Sequence, residues 1–367
     1  MIEKFGIFLI VKILLSYCRS KLFPVKPIRS FKDWVTNKFG GKLYELFFES
    51  YTKKIWGMPC ENISAEWAAQ RIKGLSIKTT LFGAIFRNNK KNNTKTLINK
   101  FKYPKYGPGM MYNSIAKRSE MNGVKIKTNT KIENLDYRNH KWFARIKGGR
   151  IDREEEYDEV ISTMPITKLV KILSPSAPQK ILEISSNYKY RDFICCCLVF
   201  NFPPRLKDNW LYINNNNVRM ARVQIVNNWS KYMLRNKNYS SFTVEYFCSY
   251  KDDLWEKQDN EMVKLAVQEL LTIGLINSQE KLLQGNIVRV RNAYPVYDNF
   301  YQNSINILVD YIKRVPGLQV AGRGGMFKYN NMDHSIYTGL LAARNIIAGY
   351  KKYDLWKVNQ DEEYGES

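Results

Sequence analysis

The chain has 367 residues, 44% of them hydrophobic, and a formal net charge of +24. These values exclude a wholly disordered chain, a collagen and a disulfide scaffold, and the length suits about two domains around a sizeable core. The excess of Lys and Arg invites a nucleic-acid partner, but the lysines are spread along the whole chain among many asparagines. No recognition helix, zinc finger or RNA-binding sheet motif accompanies them, so no nucleic acid is expected. The same charge leaves peripheral contact with an anionic membrane open.

The cysteines are Cys18, Cys60, Cys195, Cys196, Cys197 and Cys248, and none forms C-x-x-C. The only histidines, His140 and His334, lie far apart in sequence. A metal site and a histidine-based triad are therefore not expected, and the thiols read as reduced, in a cytoplasmic chain.

The N-terminal run FGIFLIVKILLSYC (5–18) is short for a membrane span and carries Lys12 in its middle. It predicts a buried or amphipathic helix, with a membrane-surface helix as the alternative. Ser30 is placed to cap FKDWVTNKFGGKLYELFFESY, where Trp34, Val35, Phe39, Leu43, Leu46 and Phe47 recur at near-helical spacing. The pair Gly40 and Gly41 breaks this stretch into two helices. Ser64 precedes AEWAAQRIKGL, with Gly74 as its stop, and residues 86–98 form a polar loop.

GPGMMYNSIAKRSEMNG (107–123) is a glycine turn followed by a helix. VKIKTNT, KIENLDYR and KWFARIKG read as three short strands and YDEVISTMP (157–165) as a fourth, a β-meander that returns to a sheet. Asp152, Glu154, Glu155 and Glu156 read as a solvated turn between strands, and no acid–base pair is legible. Apolar runs at 193–200, 210–213, 221–226, 242–248 and 286–290 read as strands, with Cys195, Cys196 and Cys197 as small buried hydrophobes. DNEMVKLAVQELLTIGLI (259–276) is a helix capped by Asp259 and ended by Gly274, with Val263, Val267, Leu270 and Leu271 on its buried face.

LQVAGRGGMFKYNNMDHSIYTGLLAARNIIAGY (318–350) reads as strand, glycine-rich loop and helix, with Ile336, Leu340, Ala343 and Ile347 as the buried stripe. Residues 351–367 form an acidic tail. Gly322, Gly324 and Gly325 allow a ligand close to the backbone, and Arg323 is placed to neutralise phosphate oxygens. The helix starts near Met332 or Asp333, and its free N–H groups favour an anion or a carbonyl oxygen. A tight strand-to-helix turn accounts for the same glycines without a ligand.

GRGGMFKYNNMDHS (322–335) resembles the closing FAD motif of the flavoproteins that include amine oxidases, protoporphyrinogen oxidases and UDP-galactopyranose mutases. Other segments resemble that superfamily in the same order: YTKKIWGMPC (51–60), WAAQRIKGLS (67–76), YPKYGPGMM (103–111), KIENL (131–135), VISTMP (160–165), NNWSKYM (227–233), VEYFCSYKDDLW (244–255) and AYPVY (293–297). The resemblance spans nearly all of residues 20–350. It implies an α/β fold with α+β character, an FAD-binding GR2-type flavoprotein with a helical cap and a mixed-sheet substrate domain. It divides the chain into a helical cap and substrate region (1–100), a glycine turn, helix and meander of the FAD domain (101–170), a substrate-binding sheet (171–293), and the C-terminal FAD strand, loop and helix (294–350).

Members of that superfamily begin with a strand, a G-x-G-x-x-G turn and a helix that binds the pyrophosphate. This sequence contains no such motif. The fold it implies is thus incomplete, and strands near 128–135 and 157–163 are expected to expose edges and apolar faces. Three explanations stay open: a separately encoded FAD-binding subunit, a truncated copy, or a binding module that no longer needs FAD.

The resemblance assigns Ile132, Gly322, Arg323, Asn331, Met332 and Asp333 to the cofactor. It places Trp56 against the nucleotide base of a mutase substrate and Arg71 near a substrate phosphate. Arg289 and Arg291 alternate on one strand bordering the flavin pocket, and Tyr294 lines the flavin face. Each has a plainer reading, as a buried anchor, a surface charge, a sheet face or one tyrosine among 24. His334 reads as a helix-start residue. The function implied is hydride transfer from a small-molecule substrate to flavin; a mutase-like isomerase using reduced flavin and a non-catalytic module are the alternatives. No catalytic residue is named, because in such enzymes the flavin carries the chemistry.

Overall fold

The structure is a computed structural model that describes residues 2–72, 101–149 and 151–359. The chain divides into two compact units, each assembled from segments far apart in sequence. Unit 1 is built mainly from Met1–Ile115 and Arg191–Arg291, and unit 2 from Ala116–Tyr190 and Asn292–Tyr364.

Unit 1 starts with the helices Ile2–Leu22 and Phe31–Phe39. Ser30 caps the second as expected: its hydroxyl accepts from the Asp33 N–H at 3.1 Å, and the Asp33 carboxylate accepts from the Ser30 N–H at 3.0 Å. Gly40 ends that helix with φ +87°, and a Cβ there would lie 2.9 Å from the Tyr17 nitrogen. The same glycine therefore lets the N-terminal helix come close. Further on, Ser50–Trp56 stops at left-handed Gly57, and Ser64 caps Ala65–Arg71. Gly74 and the polar loop 86–98 lie outside the described residues.

The centre of unit 1 is a five-stranded sheet in the order Leu282–Pro295, Tyr190–Phe200, Ser240–Cys248, Arg222–Ile225, Trp210–Tyr212. Its central antiparallel ladder runs from Asp192 opposite Cys248 to Phe200 opposite Ser240. One face buries Ile194, Cys196, Leu198 and Phe200 against the helix Asp259–Thr272. The strand period of two splits the cysteine run. Cys196 is buried in this core, while Cys195 and Cys197 are half-buried on the other face. Two expectations for the helix change: Gln258 is its N-cap, not Asp259, and Met262, Ala266 and Leu270 are buried at its centre. Val263, Val267 and Leu271 flank that row, partly buried against the same core.

Unit 2 contains the meander Lys131–Arg138, Lys141–Gly148 and Ile151–Tyr157, with Leu173–Ser174 parallel to its first strand. Residues 124–130 are not a strand, and Val124 and Ile126 are exposed. The third strand is instead the acidic segment that composition assigns to a turn. Asp152 meets Arg145 of the paired strand 141–148 at 3.1 Å, Glu154 meets Arg138 at the end of the first strand, and Glu155 meets Lys127, which precedes the meander, at 2.5 Å. These cross-strand cations offset the poor strand propensity of a carboxylate run.

The other sheet of unit 2 has two parallel strands, Val160–Ser162 and Leu318–Val320, and Ile161 on it is exposed. Helix Met332–Ala348 follows. Its predicted apolar stripe faces outward: Ile336, Leu340 and Ile347 are exposed and Ala343 is half-buried. His334, Thr338, Leu341, Ala342 and Asn345 are inside. The buried polar side chains explain the rotation. Thr338 Oγ1 accepts from the Gly322 N–H at 2.9 Å, and Asn345 Nδ2 donates to Gln319 at 3.0 Å and to the Tyr353 carbonyl at 2.9 Å. Turning the apolar stripe inward would break all three bonds. Among the described residues, no helix is long and apolar enough to cross a membrane.

Candidate functional site

The segment between Val320 and Met332, which the sequence reads as a loop but which opens with the short helix Gly322–Met326, holds most of the predicted cofactor residues. Ala321 donates its N–H to the Ser162 carbonyl at 3.0 Å, which continues the parallel pairing into the loop. Gly322 follows with φ +75°, and a Cβ built on it meets nothing within 4 Å. That position demands glycine and opens onto free space. Gly324 and Gly325 behave differently. A Cβ on Gly325 would lie 2.7 Å from the Ser162 carbonyl oxygen, and one on Gly324 would lie 3.2 Å from that of Thr163. These two glycines admit the neighbouring strand, not a ligand, which corrects the sequence reading for them.

Arg323 is half-buried. Its Nε donates to the Asn330 carbonyl at 2.8 Å and its Nη1 to the Ala293 carbonyl at 3.3 Å. Its guanidinium lies over the rings of Tyr294 at 4.7 Å and Tyr329 at 5.1 Å, and those rings stack on each other. Arg323 therefore braces the loop by spending its fork on backbone oxygens. Tyr294 serves the same brace.

Helix Met332–Ala348 begins after Asn331, whose N–H donates to His334 Nδ1 at 3.3 Å. His334 is thereby a helix-start residue. Among the described residues, the N–H groups of Met332 and Asp333 have no hydrogen-bond partner. Met332 is exposed, so this positive helix end is open to solvent or a ligand. Ile132 pairs with Ile146 beside a register shift that precedes Asn134.

Where the structure describes them, the substrate candidates in unit 1 are each engaged by other partners. Trp56 is 1% exposed and meets Trp67 edge-on at 5.2 Å. It is a buried anchor with no ring face open for stacking a base, which corrects its assignment. The Arg71 side chain lies outside the described residues. Arg289 ion-pairs with Asp259 and donates to the Lys257 carbonyl. Arg291 pairs with Asp192 at 3.5 Å and lies 3.5 Å over the Tyr250 ring. Both arginines share a side of the strand, and both are engaged by neighbouring elements of unit 1.

A residue that sequence reasoning missed is Arg191. It lies in a cleft of about 770 Å³ in unit 1, with Lys54, Gly57, Arg219 and Ser249 also in the lining. Arg191 is buried and donates to the Ile55 carbonyl at 2.9 Å, the Phe247 carbonyl at 3.0 Å and Ser249 Oγ at 2.6 Å. Burial lowers its pKa. A Cβ on Gly57 would lie 2.7 Å from its Nη1, so that glycine makes room for the guanidinium. The only sequence signal was a charged pair, Arg191 and Asp192, opening an otherwise apolar strand.

A family model for flavin containing amine oxidoreductases matches residues 33–347. Among solved structures, a reduced UDP-galactopyranose mutase is 17% identical with a TM-score of 0.80, over 96% of this chain and 74% of that chain. Wild-type putrescine oxidase bound to putrescine is 14% identical with a TM-score of 0.59, over 93% of this chain and 75% of that one. Cyclohexylamine oxidase from Brevibacterium oxydans IH-35A is 10% identical with a TM-score of 0.60, over 94% and 76%. At these identities the likeness is one of fold.

Proposed function

The chain belongs to the family of flavin containing amine oxidoreductases, and on that premise we propose that it is the substrate and C-terminal cofactor portion of an FAD-dependent oxidoreductase. The observation that carries this reading is the open helix end at Met332 and Asp333, whose N–H groups have no partner among the described residues. Gly322 adds open space next to a backbone that no side chain blocks. Two free amides suit the anionic or carbonyl edge of a flavin. When bound, the flavin supplies a hydride acceptor for a substrate C–N or C–C bond, with O₂ or a quinone as final acceptor.

The residues present have definable parts in this reading. Met332 and Asp333 hold an acceptor oxygen, and Asn331 sets where the helix starts. Arg323, clamped by Tyr294 and Tyr329, keeps the loop from moving. The backbone of Ile132 would hold the adenine edge of the cofactor. In this reading a dinucleotide-binding unit supplies the glycine motif for the pyrophosphate. The exposed Ile161, Ile336, Leu340 and Ile347 support such a partner, because parallel strands are ordinarily covered on both faces.

A mutase-like isomerase is the second reading, favoured by the TM-score of 0.80 against 0.59 and 0.60 for the two amine oxidases. The burial of Trp56 counts against it. Protection from thermal unfolding by a UDP-sugar, and not by amines, would favour the isomerase.

The test uses Met332→Pro. Proline is tolerated at the first helical position and removes one N–H, so the melting temperature should stay unchanged. FAD retention, read from the visible absorbance of the protein purified with any unit that accompanies it, should fall about tenfold or more. Unchanged retention removes the role of Met332. No flavin on the unsubstituted protein overturns the oxidoreductase reading in favour of a non-catalytic module.

A further inference from the structure

The N-terminal helix Ile2–Leu22 precedes the residues that the family model matches. One side of it is docked on unit 1. Ile13 and Ser20 are buried, Ser16 Oγ accepts from the Lys42 N–H at 2.9 Å, and Gly40 makes room for the Tyr17 backbone. The opposite side carries Phe8, Val11, Leu15, Cys18 and Leu22, all exposed; Phe8 is 72% exposed and Leu15 64%. Their spacing of three and four residues places them in one stripe along the helix. A helix that is apolar on both sides but packed on only one has a second partner.

The charges say which partner. From residue 4 to residue 32 the sequence has no Asp or Glu and seven Lys or Arg. On the helix surface, Lys12 and Arg19 border the exposed stripe on one side and Lys21 on the other. Lys12 Nζ lies 4.5 Å from the centre of the Phe8 ring, so the cation sits at the edge of the apolar stripe. Exposed Phe23, Val25 and Ile28 continue the apolar surface past the helix end, with Lys26 and Arg29 among them.

We infer that this helix is an interfacial anchor that lies on an anionic lipid surface, its stripe in the acyl boundary and its cations at the headgroups. A second copy of the chain fits less well. Pairing two such stripes would bring Lys12, Arg19 and Lys21 of one helix near the same cations of the other, with Glu3 as the single carboxylate in the helix sequence to offset them. An anionic bilayer meets both features, because apolar burial and attraction of a basic segment add there. The inference is independent of the reaction and of flavin.

The experiment is co-sedimentation of the full chain with vesicles of phosphatidylcholine alone or with about one third phosphatidylserine. The chain should pellet with the anionic vesicles, remain free of the neutral ones, and be released by high salt. Leu15→Glu should weaken binding about tenfold or more, since it places a charge in the apolar boundary. Lys12→Glu combined with Arg19→Glu should abolish the preference for phosphatidylserine. All three positions are exposed, and an unchanged melting temperature verifies that the variants fold. Equal binding to both vesicles, or to neither, overturns the inference. A dimer in solution that Leu15→Glu splits also overturns it, and assigns the stripe to a second copy.

Discussion

Leu198 and Leu340 are the same side chain in opposite circumstances. Leu198 lies on the central strand Tyr190–Phe200 of unit 1 and is fully buried between its neighbours and the helix Asp259–Thr272. Leu340 lies on the helix Met332–Ala348 of unit 2 and is 52% exposed. Both occupy apolar rows of the right period for their element. The difference is that unit 1 supplies both sides of its packing, a five-stranded sheet and a helix. In unit 2 the helix turns Thr338 and Asn345 inward to satisfy backbone and side-chain partners, and its apolar row goes outward. Periodicity marks a row of apolar residues; which neighbour the row meets is set by hydrogen bonds elsewhere.

The largest expected break of this contrast is Leu198→Ala. It should cost about 3–5 kcal/mol, because a fully buried leucine leaves both lost transfer energy and a cavity. Urea unfolding followed by tryptophan fluorescence measures it, and a loss below about 1 kcal/mol would contradict the packed core of unit 1.

Alkaline pH should then separate the two units. Burial pushes the thiols of Cys60 up to about 11 and of Cys196 and Cys248 up to about 12, all in unit 1. Burial likewise pushes the phenol of Tyr188 in unit 2 up to about 12. A raised acid holds its proton more tightly in the folded state. Its contribution is fully present below the unfolded pKa and is lost as pH rises through the folded value. Unfolded thiols ionise near pH ~8.5 and phenols near ~10. Unit 1 should therefore start to lose stability at a lower pH than unit 2. Thermal melts between neutral and strongly alkaline pH, read by exchange of amides in each unit, check this order.

The smallest expected effect is Leu340→Ala, which should stay within about 0.5 kcal/mol for the chain by itself. The same urea titration serves. A cost near that of Leu198→Ala would mean that the stripe is covered in solution.

Much of this molecule was legible where causes are local. Ser30 and Ser64 cap helices because their hydroxyls reach a backbone N–H within three residues. Gly349 ends the last helix in the left-handed region that glycine favours. The strand Leu318–Val320 and the helix start at Met332 were legible, while Gly322–Met326 between them forms a short helix and not the loop that its glycines suggest. Arg323 was recognised by its place in the motif, but its clamp between Tyr294 and Tyr329 joins residues that are 35 positions apart (294 to 329) and could not be read from spacing.

What the amino-acid sequence determined by itself is thus most of the helices and the core strands, the caps at Ser30 and Ser64, and membership of a flavoprotein family. Those depend on neighbours a few residues away or on a motif carried whole. The tertiary structure alone decided that an acidic run becomes a strand, that residues 124–130 do not, and that Trp56 is an anchor. It also decided that Arg191 sits in a cleft and that the last helix turns its apolar row outward. Each of these turns on a remote partner: the cations across the meander, Trp67, the carbonyls of Ile55 and Phe247, and the Gly322 amide. Burial and charge pairing act between residues brought together by the whole fold, and no local pattern records them.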